Sequence, residues 1–167
     1  GPYDYNDTAN WTGGTINNTF NSNPTVNQTV TFGADTTLSG SLSINNTGTF
    51  SRTFRGEGGN RLVTLGGNVS LGSSATNLNA VTFGSLTAGQ ALNIDLGGSV
   101  RNMTVGTNRT LEVLNVISGT GSSAITKLGA GTLKLTNTAN TFSGSVSIGG
   151  GSPSQFGGVL EVIKLAD

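Results

Sequence analysis

Cysteine and histidine are both absent from the 167 residues. Without cysteine there are no disulfides, so stability has to come from packing and backbone pairing alone. Without histidine there is no histidine-dependent serine or cysteine triad and no histidine-bound metal. Charge is scarce as well: acidic and basic side chains make up 10% of the chain and cancel to a net charge of zero. A neutral chain offers no basic field to draw in nucleic acid and no acidic field to draw in cations. Nor is this the composition of a disordered chain, which pairs low hydrophobicity with high net charge. No apolar run approaches the roughly 18 residues of a membrane-spanning helix, so no membrane insertion of this segment is expected. Finally, no Asn-Gly or Asp-Gly pair occurs, despite the wealth of both Asn and Gly. Those pairs make the favoured two-residue hairpin, so their absence speaks for parallel pairing. An antiparallel β-sandwich, also built of short strands and Gly-rich turns, is the competing architecture.

What fills the chain is small and polar. Gly, Ser, Thr and Asn together exceed half of it, against 34% hydrophobic residues. The length suffices for one domain with a core. A narrow core under a wide uncharged coat fits a solenoid. Alternation predicts strands at 29–32, 36–38, 42–44, 49–54, 62–65, 69–71, 80–83, 91–96, 100–105 and 110–116, with glycines between them. The segments 28–33 (QTVTFG) and 79–84 (NAVTFG) read as the same strand two or three rungs apart. With about 20 residues per coil, roughly six to eight rungs would form a rod roughly 30–40 Å long. Asn17-Asn18 and Asn45-Asn46 read as turn positions, where stacked asparagines bond from rung to rung. No helical period appears.

The segment 124–162 organises the rest. Leu133/Leu135, Val146/Ile148 and Leu160/Val162 are alternating apolar pairs, expected to face one interior column, with Thr132, Lys134, Ser147 and Glu161 on the other face. Lys127 shares the parity of Ile125, which would bury its charge unless the turn at 129–131 lets it escape. The blocks Lys127-Leu-Gly129-Ala-Gly131-Thr-Leu133-Lys-Leu135, Asn140-Thr-Phe142-Ser-Gly144 and Gly158-Val-Leu160-Glu-Val162 resemble the passenger-associated transport repeat, or autotransporter-associated β-strand repeat. The insert 149–157 lengthens one turn relative to that pattern. The resemblance covers about the last quarter of the chain. It implies an all-β, right-handed parallel β-helix in the secreted passenger of a bacterial surface protein. The setting it implies is extracellular, at the cell surface, with an outer-membrane β-barrel lying beyond this segment.

Gly1-Pro2 reads as the scar of a cleaved expression tag. Residues 3–24 read as an N-terminal cap region and 25–167 as the solenoid. Tyr3, Tyr5 and Trp11 supply three of the ten aromatics, and Asn10-Trp11-Thr-Gly13-Gly14 resembles the opening of such passengers. Trp11 is either a cover for the first rung or a platform for sugar stacking. The far end stops inside an apolar pattern (Ile163, Leu165), which predicts a continuing rung in a longer protein and weak self-association through that end.

Candidate chemistry is sparse. Asp95 and Glu112, with Arg101 and Arg109 between them, could form a carboxylate pair for glycoside chemistry, or could be solvated surface charges. Arg52, Arg55 and Arg61 are the one local excess of positive charge and the expected site for an anionic partner such as a sulfated or sialylated glycan. The stretch 4–8 lacks the Gly and Glu of an EF-hand loop, and the glycine-rich stretch 56–61 lacks the ending of a phosphate-binding loop. No cofactor or metal is therefore expected. The function expected is a non-catalytic passenger segment, a rigid adhesion or display stalk with a repeat assisting secretion. Its partner would be a host or environmental glycan or a surface protein. The alternative is a β-helix enzyme acting on polysaccharide.

Overall fold

The computed structural model describes residues 3–5, 18–22, 27–46, 51–73, 80–149 and 158–163. These form strands and turns only: β1 (Tyr3–Asp4), β2 (Thr19–Ser22), β3 (Gln28–Phe32), β4 (Thr36–Leu38), β5 (Leu42–Asn46), β6 (Arg52–Gly56), β7 (Arg61–Leu65), β8 (Val69–Leu71) and β9 (Ala80–Phe83). They continue with β10 (Leu92–Asp95), β11 (Val100–Val105), β12 (Thr110–Val113), β13 (Ile117–Ser118), β14 (Ala124–Leu128), β15 (Thr132–Leu135), β16 (Val146–Ile148) and β17 (Val159–Val162). From β2 to β15 every third strand returns to the same sheet. Sheet A runs β1-β3-β6-β9-β12-β15-β17, sheet B runs β2-β5-β8-β11-β14-β16, and sheet C runs β4-β7-β10-β13. All the pairings are parallel. The molecule is a three-sided parallel β-helix.

Four turns contribute a strand to all three sheets: β3–β5, β6–β8, β9–β11 and β12–β14. Incomplete turns flank them. That is fewer than the expected six to eight rungs, because the corners consume more chain than about 20 residues per coil allows. From Leu111 the next turn arrives at Leu133, but Val81 to Leu111 takes far longer, through the wide loop after β9. Within 3–24, β1 pairs with β3 and β2 with β5, so the described part of that region belongs to the solenoid as its first partial turn.

Alternation explains the core. In β6, β8, β12 and β15 the buried residues are strictly every second one, and they stack from turn to turn into an interior column. The N-terminal part of that column is aromatic. Tyr5 stacks on Phe32 at 4.7 Å, Phe20 meets Phe54 edge-on at 5.1 Å, and Phe54 meets Phe83 in the same way at 5.1 Å. Such pairs add about 0.5–1.5 kcal/mol each beyond the area they bury. The C-terminal part is aliphatic, built on Leu111, Val113, Met103, Ile117, Ile125, Leu133 and Leu135. The similar segments 28–33 and 79–84 do lie two turns apart on sheet A, but Val30, not Phe32, aligns through Phe54 with Phe83. The shift is two residues, which preserves the inward parity.

Three expectations need correction. Ile148 does not join the interior column: it is 53% exposed, on the last strand of sheet B, while Val146, Leu160 and Val162 are only partly covered. Asn45 and Asn46 lie in β5, not in a turn, and the one non-glycine residue with positive φ is Asn108 (φ 58) among the described residues. The run expected as one strand over 110–116 breaks after Val113. There the Asn115 Oδ1 accepts the backbone N–H groups of Ser85 (2.9 Å) and Leu92 (3.0 Å), and its Nδ2 donates to the Ser85 carbonyl at 3.1 Å. The side chain of one turn thus does the pairing that the corner backbone of the turn below lacks. Asp35, Asn60, Asn68 and Asn140 do the same for Leu62, Ala91, Asn102 and Ile117. This is the physical use of so much asparagine.

Candidate functional site

The three arginines expected to cluster go three ways. Arg52 shares parity with Phe54, so it faces inward and is 2% exposed. Its Nη2 donates to Gln28 Oε1 at 2.5 Å, and its guanidinium lies 5.4 Å from the Phe20 ring centre. Buried there, it is out of reach of an external anion. Arg55 faces outward on sheet A. Arg61 folds back across its own turn, donating from Nε and Nη2 to the Glu57 carbonyl at 3.1 and 3.0 Å. Trp11 lies outside the described residues.

The residues proposed for glycoside chemistry also separate. Asp95 faces out of sheet C, where it accepts the Gly97 N–H (2.6 Å) and the Ser118 hydroxyl (3.2 Å). Glu112 is on sheet A, in register with Thr82 and Lys134. Arg101 ties down the corner before sheet B by donating to the carbonyls of Leu96 (2.7 Å) and Leu65. Arg109 is buried at the corner from sheet B to sheet A. The two carboxylates thus sit on different sheets, each engaged by its own turn or column. Outside sheet A, Lys134 Nζ lies 2.9 Å from Glu161 Oε2; the bond and charge of Glu161, with the charge of Glu112, push the ammonium above the usual lysine range. So exposed a pair contributes little to stability.

The corner between sheets B and A concentrates the buried cations. Lys127 does not escape: it is 0% exposed, and its Nζ donates to the carbonyls of Leu128 (2.8 Å) and Gly129 (2.6 Å). Keeping the ammonium inside lets it satisfy carbonyls of the turn that follows, which an outward lysine would leave to water. Burial pushes its ionisation below the ordinary lysine range, and burial lowers Arg109 likewise. The corners of successive turns, at Asn108 and Arg109 and at Ala130 and Gly131, flank an open cavity of about 300 Å³ that Thr110 and Thr132 also line. The interior of the helix, by contrast, is filled: the space among Phe32, Phe54, Phe83 and Leu92 holds only about 10 Å³.

Parity flags Lys127 in the sequence, and it could equally have identified Arg52 and Arg109, since each of the three lies two residues from a buried strand residue (Ile125, Phe54, Leu111). The cavity could not, because it depends on which two turns become neighbours. Among the described residues no three His, Cys, Asp or Glu side chains stand close enough to share a metal ion. No family model, no curated protein and no solved structure matches the chain.

Proposed function

We propose that this chain is a segment of a bacterial surface passenger: a rigid, non-catalytic β-helical stalk, with 124–162 assisting secretion. One observation carries the reading. The residues that bear the resemblance each have a specific task in a stacked solenoid. Lys127 closes the B-to-A corner. Gly129, with φ +78, passes close under Val105: an added Cβ would lie 2.4 Å from the Val105 carbonyl. Gly144 and Gly158 make comparable approaches to Ser123 and Gly131, and Asn140 accepts the Ile117 N–H at 2.8 Å. A motif whose glycines serve the contact between turns and whose lysine fastens the corner within its own turn is what an elongating rod requires. The separation of Asp95 from Glu112 removes support for the polysaccharide-active alternative.

The test is surface presentation. The chain is fused upstream of an outer-membrane β-barrel translocator, and its protease accessibility is measured on intact cells, with and without 124–162. The reading predicts efficient exposure of the whole chain and a several-fold loss on deletion. Equal exposure of both, with equal total expression, would remove the secretion role.

A further inference from the structure

Among the described residues β17 is the last strand of sheet A, with β15 on one side and no strand on the other. The Val159 N–H donates to the Gly131 carbonyl at 3.0 Å, and the Ile163 N–H to the Leu135 carbonyl at 3.2 Å. Backbone groups along a strand point alternately to its two neighbours. Val159, Glu161 and Ile163 therefore face β15, while Leu160 and Val162 turn their N–H and C=O groups to the far side. These two residues also carry the core parity. Leu133 and Leu135, one turn earlier in the same columns, are 0% and 1% exposed beneath β17, whereas Leu160 and Val162 are only partly covered. The outward column adds a second signal. Glu112, Lys134 and Glu161 follow one another in register, so the charge alternates from turn to turn. Lys134 stands between two carboxylates and feels both. Glu161, its side chain half exposed, has its one bridging cation on the β15 side.

We propose that the far edge of β17 is a docking site for one β-strand of a second polypeptide, with the pattern apolar–cation–apolar opposite Leu160, Glu161 and Val162. The backbone groups of Leu160 and Val162 supply the main-chain pairing, since an unpaired strand edge is a template for an added strand. Their side chains give the added apolar residues a seat continuous with the core. Glu161 selects Lys or Arg at the middle position, because opposite charges facing across neighbouring strands stabilise and like charges destabilise. The chain itself shows the fit: Leu133-Lys134-Leu135 lies against the same three residues from the other side. A second copy does not offer that strand, because its own β15 is enclosed between β12 and β17. The site does not depend on how the chain is secreted.

The test is a titration of the isotopically labelled full chain with a synthetic peptide of sequence 131–137 (GTLKLTN), monitored through the amide spectrum. Saturable shifts centred on Leu160, Glu161 and Val162 are expected. The peptide carrying Lys134→Glu should bind about threefold more weakly, or worse. In the Glu161→Lys protein the preference should invert, so that the exchanged peptide binds the tighter. Glu161 points out of the last strand of its sheet and its replacement leaves the core untouched, so the exchange tests recognition rather than folding. Shifts that never saturate, or that scatter away from β17, would overturn the proposal. So would equal binding of both peptides to both proteins. Shifts at the same amides on concentrating the protein alone, with no response to peptide, would also overturn it and assign the edge to a second copy.

Discussion

At the scale of single residues, the interior tolerates polar groups where each finds a partner inside. Tyr5 is 3% exposed, and its hydroxyl donates to Asn18 Oδ1 at 2.5 Å. Burial raises the phenol to about 12 from an ordinary 10.0. The folded state therefore holds this proton more tightly than the unfolded chain does. The corresponding stability is complete below pH 10 and is lost as the pH rises from there toward 12. Tyrosinate absorbance should show one component titrating near 12, absent in Tyr5→Phe; a single transition near 10 in the native protein would contradict this burial. Lys127 gives a second check. Lys127→Glu places a carboxylate against two carbonyl oxygens inside the corner and should cost roughly 3–5 kcal/mol in a denaturant titration. A loss below about 1 kcal/mol would mean that the side chain reaches solvent after all.

At the scale of elements, corners rather than strands set the register. Gly66 has an ordinary φ, but an added Cβ would lie 2.0 Å from the Leu38 carbonyl of the preceding turn. Gly121 has φ +62 with nothing within 4 Å of the added atom. Gly66→Ala should therefore force the two turns apart and destabilise well beyond the roughly 1–2 kcal/mol of backbone strain expected of Gly121→Ala. Thermal melts that rank the two the other way would show that turn spacing is softer than the geometry implies. Strands of this kind were readable in advance because period-two burial is local: 36–38, 69–71, 80–83 and 100–105 fall where alternation puts them. The corner at Asn115 was not readable, because its partners Ser85 and Leu92 belong to the preceding turn, 30 and 23 residues away in sequence. The same limit applied to the candidate site. Arg52, Arg55 and Arg61 are close in sequence yet separate in space, whereas Arg109 and Ala130 are brought to one cavity only by the stacking of turns.

At the scale of the whole molecule, stability grows by turns and is expected to be greatest where both neighbours are present. Leu111 is 0% exposed on a strand with partners on both sides, while Leu160 is partly buried on the last strand of sheet A. Leu111→Ala should cost about 2–5 kcal/mol, and Leu160→Ala clearly less. Equal costs in chemical denaturation would mean that the last strand is as fully enclosed as the middle. The central claim, a parallel stack with the register of sheet A, has a more direct test. Thr53, Thr82, Glu112, Lys134 and Glu161 form one outward column, each in register with the next. Because the chain has no cysteine of its own, pairs of introduced cysteines carry spin labels at chosen rungs only. Distances from position 53 should increase by about 4.8 Å per turn, reaching about 19 Å at position 161. Even steps of that size, indifferent to the number of residues between the labels, are the predicted result. Distances that rise and fall along the series, as a sandwich of antiparallel strands would produce, would contradict it.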